Sequence, residues 1–305
     1  MMTGDRDQGS PFNEVQTPLL CMGVSQVSMS SNKVDISSSK EVAIADIAVV
    51  ISSCDKYSDL WKPFFTLFFR YWSDCPFHVY LIANHLRYAD PRVTIINTGD
   101  DHDWSSSFRK AIRNIPTRYL IMLLDDYFLF AEVNTDKVIE YAQYVMAKNA
   151  AFLQLYSIIL HAEPSDNHPE IGPRGKGSLY RISTQPAIWD KQAVDMLLQD
   201  GESIWEFETK GTVRSNSLDM PFLGLKLGVK SPIPVYNATY RGKLVQSAIR
   251  LCKRENVPID LNARTRRTIL EEAYYYVFYN RWGEFYLRHA STIGSVKRLI
   301  SRQRV

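Results

Sequence analysis

Short unbroken apolar runs alternate along the chain with segments whose apolar residues recur at helical spacing. Ile47-Ala48-Val49-Val50-Ile51 is the first run, and Phe77–Ala83, Arg92–Ile96 and Arg118–Leu124 follow. Runs of this length between polar segments predict strands buried on both faces. After the first, Leu60, Trp61, Phe64, Phe65, Phe68, Tyr71 and Trp72 fall on one helical stripe that Ser58 can cap, with Pro63 fitting only in its first turn. Ser105–Ile115 and Asn134–Lys148 predict further helices, and Phe152–Leu160 another strand. The alternation predicts an α/β fold with a mixed, mainly parallel sheet flanked by helices.

The pattern changes after residue 160. His161–Gly177 holds three prolines and three glycines and reads as a long loop. Ser178–Ser183 reads as extended, Ala193–Leu198 as a helix, and Val229–Tyr236 as an edge or irregular strand because Pro232 and Pro234 interrupt it. Leu244–Glu255 and Arg264–Arg288 read as helices. Residues 1–43 are polar and Ser-rich without sustained periodicity, the mark of a flexible N-terminal extension. A domain over 44–260 follows, and a basic, aromatic helical segment over 261–305.

The 305 residues, 45% of them apolar, suffice for a full core. Net charge is +3, but residues 241–305 carry 14 Lys and Arg against 5 Asp and Glu. Such a surface suits phosphates or an anionic membrane face. Zinc-finger spacing, basic-region heptads and RRM-type aromatic motifs are missing, so nucleic acid is not an expected partner. Cys21, Cys54, Cys75 and Cys252 are widely spaced, which fits a reducing compartment. No apolar stretch reaches the length of a spanning helix, and no signal-peptide pattern opens the chain, so a cytoplasmic protein is expected.

Candidate chemistry begins where the Arg118–Leu124 strand ends, at Asp125-Asp126. Ligands of open α/β sheets bind at the carboxyl ends of strands. Adjacent acids there repel each other and lose hydration, so a divalent metal or cationic ligand group is the natural compensator. GxGxxG, GxSxG, HExxH and kinase motifs are absent. Gly172-Pro173-Arg174-Gly175-Lys176-Gly177-Ser178 has a phosphate loop's composition but not its spacing, and reads as a flexible cover. Four segments can converge: Ser52-Ser53-Cys54-Asp55-Lys56-Tyr57, Trp104–Arg109, Asp125-Asp126, and Tyr236–Lys243, whose Arg241 and Lys243 flank a glycine.

This ordered set resembles glycosyltransferases of the GT-A type, and more closely bacterial enzymes that build surface polysaccharides. Gln185–Trp189, Ser203–Glu208 and Tyr240-Arg241-Gly242-Lys243 are similar to that group, and the likeness spans roughly residues 46–260. It implies a Rossmann-like GT-A fold with a donor half over 44–150 and an acceptor half over 151–260. It also implies a nucleotide-sugar donor and a saccharide or lipid-linked acceptor. By resemblance, Ser52, Ser53, Asp55, Arg109 and Asp125 line the donor site, and Asp126 holds Mn²⁺ or Mg²⁺. Arg241 and Lys243 neutralise the leaving diphosphate. Trp189 and Trp205 offer flat faces to the acceptor. The usual acid–spacer–acid pattern is replaced by an adjacent pair followed by Tyr127, so the two cations can take part of a metal's charge role.

Inverting transfer needs a carboxylate base. Glu208 is placed at the acceptor by resemblance, with Glu206 as the alternative; the other reading makes both of them helix N-terminal acids. Aromatic residues from Tyr274 to Tyr286 lie among basic ones, which fits peripheral contact with an anionic membrane or a packed helix with a solvated basic end. Two other functions stay open: a nucleotidyltransferase of related fold, and a non-catalytic protein that binds nucleotide sugars or a membrane surface.

Overall fold

The structure, a computed structural model, describes residues 36–100, 102–159 and 168–273. Helix α1 (Ile36–Ala45) leads into strand β1 (Ile47–Ser52), a 3₁₀ turn (Asp55–Leu60) and α2 (Trp61–Tyr71). Next come β2 (His78–Ala83), β3 (Val93–Asn97), α3 (Trp104–Ile112), β4 (Tyr119–Leu124), β5 (Tyr127–Leu129), α4 (Thr135–Ala147) and β6 (Phe152–Ile159). Then β7 (Ile171–Pro173), β8 (Ala187–Asp190), α5 (Lys191–Leu197) and β9 (Phe222–Lys226) follow. The short strands β10 (Val235–Asn237), β11 (Thr239–Tyr240) and β12 (Lys243–Leu244) precede helix Gln246–Arg254.

Eight strands form one sheet in the order β3-β2-β1-β4-β8-β6-β9-β7. The pairs β1–β2, β1–β4, β2–β3 and β6–β9 are parallel, and β8 and β7 run against their neighbours. Alternate residues of the central strands feed two cores. Ile47, Val49, Ile51, Ile121 and Leu123 pack with α2 and α4 on one face. Ala48, Val50, Leu120 and Met122 pack with α3 and α5 on the other. The fold is therefore the helix-flanked α/β sheet expected from the sequence. Central strands lack a solvent face, which is why they read as continuous apolar runs.

Several elements differ from expectation. Helix α1 carries the folded region back past residue 44. Strand β7 occupies part of the long loop. Residues 178–183 form turns and bends rather than a strand. Strand β10 leaves the main sheet to pair with β5. Residues 264–268 are not helical, since Arg266 bridges to Leu244, and helix begins only at 269. The tail from Tyr274, residues 1–35 and 160–167 lie outside the described residues, as does Cys21; Cys54, Cys75 and Cys252 form no disulfide among the described residues. No helix among the described residues is long and apolar enough to cross a membrane.

Candidate functional site

Strand β4 is paired along its length with β1, the register running from Ile47↔Tyr119 to Ser52↔Leu124. The chain leaves the sheet edge between two neighbours, and Asp125 and Asp126 stand at that exit. Asp125 is only 5% exposed. Its carboxylate accepts from Ser53 Oγ, which in turn accepts from the indole of Trp61 at 2.7 Å. Ser52 Oγ accepts from the Trp104 indole at 2.9 Å. Ser52 and Ser53 thus support the acid from behind. Asp126 accepts from Ala238 N at its carbonyl (2.6 Å) and from Thr239 Oγ1 at Oδ2 (2.6 Å). Its Oδ1 is buried and receives no hydrogen bond.

Burial pushes the Asp125 carboxyl well above its ordinary range, and the charge of Asp126 pushes it further. Burial raises Asp126 to about 6, against the bond from Thr239. Both acids are thus held in a site that penalises their charged forms. An orphaned carboxylate oxygen beside a second buried carboxylate fits a hard divalent cation, which typically takes one or two protein carboxylates and completes its shell with phosphate and water.

Among the described residues, Arg264 is the cation whose charge acts on both acids, and sequence reasoning missed it. It forms a two-bond fork to Asp59 (2.7 and 2.7 Å), donates to Lys56 O at 2.6 Å, and stacks 4.0 Å from the Tyr57 ring centre. Its charge favours the ionised forms of both Asp125 and Asp126. It also lines a cleft of about 720 Å³ together with Gln246, Asn262, Arg266, Arg267 and Thr268. Its partners lie some two hundred positions upstream, so no local signal marks it.

The hairpin β11–β12 is tied to Asp126 through Thr239. Its two turn residues, Arg241 and Gly242, have φ of 52° and 76°, the left-handed pair of a tight hairpin turn. Arg241 is exposed, with its guanidinium 5.6 Å from the Tyr240 ring centre, and Lys243 pairs with Glu271 at 3.2 Å. A left-handed arginine is strained, by about 1 kcal/mol. We expect Arg241→Asn to raise stability by about 0.5–1 kcal/mol while raising the donor KM about tenfold. Urea unfolding and donor titration check the two arms, and an unchanged KM would make Arg241 a turn residue only.

Glu208 lies in a helical run comprising Ile204–Glu206, a π-helical turn over Phe207–Gly211, Thr212–Arg214 and a 3₁₀ turn over Ser215–Ser217. Its Oε1 accepts from Thr184 N (2.6 Å), Thr184 Oγ1 (2.8 Å) and Ser183 Oγ (3.2 Å), while Oε2 accepts none of these bonds. Strand β8 pairs Ala187 with Met122 near the end of β4, and residues 183–186 lead directly into that strand. Tyr127 Oη donates to Thr184 O at 3.3 Å. The buried Glu208 is thereby held beside the carboxyl end of β4. A π-turn at such a place is a common companion of function. Gly211 closes the turn, where a Cβ would stand 2.8 Å from Ile182 Cδ1.

Other expected site residues are used elsewhere. Glu206 makes a capping box with Ser203 and pairs with Lys210 at 2.9 Å; the Ser203 N–H foremost, then Lys210, pulls it down to about 2, too weak a base for proton abstraction. Asp55 accepts from the N–H groups of Asn84 (2.9 Å), His85 (3.0 Å) and Leu86 (3.1 Å), so it locks the loop after β2. We expect Asp55→Ala to cost about 2–3 kcal/mol in urea unfolding with the donor KM unchanged. Arg109 joins α3 to Asp195, Asp200 and Leu198 O. Trp189 is fully buried against Phe152 and Phe207 and offers no face to a sugar. Trp205, 68% exposed, does.

Glu140, His168 and Glu170 also gather ligand atoms within 4.8 Å of one another. Lys137 already bridges the two carboxylates at 3.0 and 2.6 Å, supplying the positive charge a metal would bring.

No family model matches the sequence, and no curated protein matches it. Solved structures similar to it include TarS 1-349 of S. aureus in complex with UDP-GlcNAc, with TM-score 0.40, 10% identity, and cover of 72% of this chain and 68% of that one. The mannosyltransferase PcManGT of Pyrobaculum calidifontis, in complex with GDP-Man and Mn²⁺, has TM-score 0.41 and 11% identity over 65% of this chain and 58% of that one. A cytidylyltransferase of Leptospira borgpetersenii has TM-score 0.40 and 9% identity over 73% and 98%. At such scores the chemistry has to be read from the residues.

Proposed function

We propose that the protein is a glycosyltransferase that moves a sugar from a nucleoside-diphosphate sugar to a saccharide or lipid-linked saccharide. The observation that carries this reading is the Asp125-Asp126 pair at the carboxyl edge of β4, Asp125 buried and Asp126 half-buried, with the buried Oδ1 of Asp126 unpartnered. Asp126, with Asp125 behind it, would hold Mn²⁺ or Mg²⁺. When bound, the ion supplies positive charge that offsets the donor diphosphate. Arg241 and Lys243, on the hairpin anchored to Asp126, add positive charge for the diphosphate as it leaves. Ser52 and Ser53 act on the donor only by fixing the end of β1 and Asp125.

Glu208 supplies the base. Three bonds on Oε1 fix the carboxylate and leave Oε2 to take the proton of an acceptor hydroxyl. The hydroxyl oxygen then forms its bond to the sugar's anomeric carbon as the bond to the diphosphate breaks, and the nucleoside diphosphate departs. A single displacement of this kind inverts the anomeric centre. Trp205 gives the acceptor a flat apolar face. The basic composition of 241–305 supports a lipid-linked acceptor at the inner membrane face, and with it a role in surface polysaccharide assembly.

The test is nucleoside diphosphate release from UDP-, GDP- and dTDP-sugars, and nucleoside monophosphate release from a CMP-sugar, with and without Mn²⁺, by wild type and Asp126→Ala. Slow hydrolysis of one donor, lost in the variant, is the expected result. Pyrophosphate release from a nucleoside triphosphate would instead make the protein a nucleotidyltransferase. Binding without turnover would make it a non-catalytic binder.

A further inference from the structure

Away from the acid pair, two buried charges have no counter-ion among the described residues. Arg174 and Arg181 are 7% and 4% exposed. Among those residues neither is bonded to a carboxylate; their partners are neutral groups. Arg174 Nη2 donates to Tyr180 O. Arg181 donates through Nε to Arg174 O at 3.0 Å and through Nη1 to Ser215 O and Oγ. Arg174 Nη1 is buried and donates to nothing. The guanidinium of Arg181 lies 4.0 Å from the Phe222 ring centre and that of Arg174 5.9 Å from Phe152. These rings are register partners on β9 and β6, so both cations sit over one patch of the sheet.

Cation–π contacts recover only part of what it costs to bury an ion, even after the protein relaxes. The cations also repel each other: burial, and then the charge of Arg181, pulls Arg174 down to about 10, so at neutral pH both still carry their charge. A paired, dry, unneutralised set of guanidinium forks is built for an oxyanion, whose oxygens match the fork. The connecting segment, Gly175–Tyr180, is solvent-exposed apart from the half-buried Ser178, so the chain that joins the two arginines lies at the surface. The pair is also joined to the base. Arg181 precedes Ser183 by two residues, at most about 7 Å along the chain, and Ser183 and Thr184 hold Glu208. Ser215, which Arg181 grips, opens the last turn of the helical run that carries Glu208.

We propose that Arg174 and Arg181 form an oxyanion site that receives the carboxylate or phosphate of an acidic acceptor saccharide next to Glu208. The assignment to an acceptor rests on the glycosyltransferase reading; the anion site itself does not.

The test has two independent arms on the full chain. In the first, inorganic phosphate and acetate are titrated separately at constant ionic strength in chloride, with Tm as readout. Wild type should gain several degrees with at least one of them, and so should Glu208→Gln. Arg174→Met should lose the response and, freed of an unpaired buried charge, start from a higher Tm in chloride. A wild type indifferent to both anions overturns the site whether or not the variant folds, and so does a variant that responds like wild type. In the second arm, acceptors bearing a uronate, a phosphate or neither are compared with the active donor. An advantage of tenfold or more in kcat/KM for one acidic class, lost in Arg181→Gln, is expected and names which anion is used. Equal use of the neutral acceptor overturns the acceptor assignment. Absence of all donor turnover with the Tm response intact would refute the glycosyltransferase reading and leave the anion site standing.

Discussion

Glu208→Gln should lower kcat by about 10²–10⁴-fold, the usual contribution of a positioned general base. Glutamine keeps the shape of the side chain and an oxygen for the Thr184 N–H and the two hydroxyls that bond Oε1. The fold and the donor KM should therefore be preserved, and the loss should fall on the proton-transfer step. Initial rates of acceptor-dependent nucleoside diphosphate release measure it, beside donor hydrolysis by the same variant. Glu206→Gln should leave kcat within about twofold, because its carboxylate is spent on Ser203 and Lys210. A large effect at Glu206 and a small one at Glu208 would reverse the assignment.

Asp126→Asn should make the metal-free protein more stable at pH 7 and inactive at once. The folded protein holds the Asp126 proton up to a pH of about 6, whereas an unfolded aspartate releases it near its ordinary value of 3.8. Between those values the folded state binds more protons than the unfolded one, so wild-type stability falls as pH rises through the window and stays low above it. Two units correspond to about 2–3 kcal/mol. Asp125 acts in the same direction. Urea unfolding from pH 4 to pH 8 should show this decline in wild type and a flatter profile in the variant. Mn²⁺ should restore stability to wild type at pH 7 and give little to Asp126→Asn. A variant less stable than wild type at pH 7 would mean that Thr239 and Ala238 more than offset the burial of this acid.

The parts of the fold legible in the sequence are those fixed by local pattern. Strands β1 and β4 lack solvent faces and announce themselves as apolar runs, and the acids after β4 are conspicuous for the same reason. Strands β5, β7, β8 and β9 span three to five residues each. Their pairing is settled by partners far along the chain, which no window of sequence contains. Trp189 shows the cost: Gln185–Trp189 reads equally well as a loop bearing an exposed aromatic ring and as a buried antiparallel strand, and burial against Phe152 decides. Asp55 and Arg109 were identifiable as polar residues at strand and helix ends, but their bonding to Asn84 N and Asp195 is a tertiary fact. Conversely, Thr184, Thr239 and Arg264 have unremarkable surroundings in sequence and gain meaning only because the fold brings them to Glu208, Asp126 and Asp59.

The contact between Gly211 and Ile182 has an evolutionary side. The π-turn and the chain leading into β8 approach so closely that one methyl group on Gly211 would meet Ile182 at 2.8 Å. Ile182 adjoins the two residues that grip the base, so bulk added at 211 would be transmitted to Glu208 as a displacement of a few tenths of an ångström. Reaction rates are steeply sensitive to placement on that scale. A lineage of such enzymes could therefore retune its turnover, or lose it, through drift at a position that never meets a substrate.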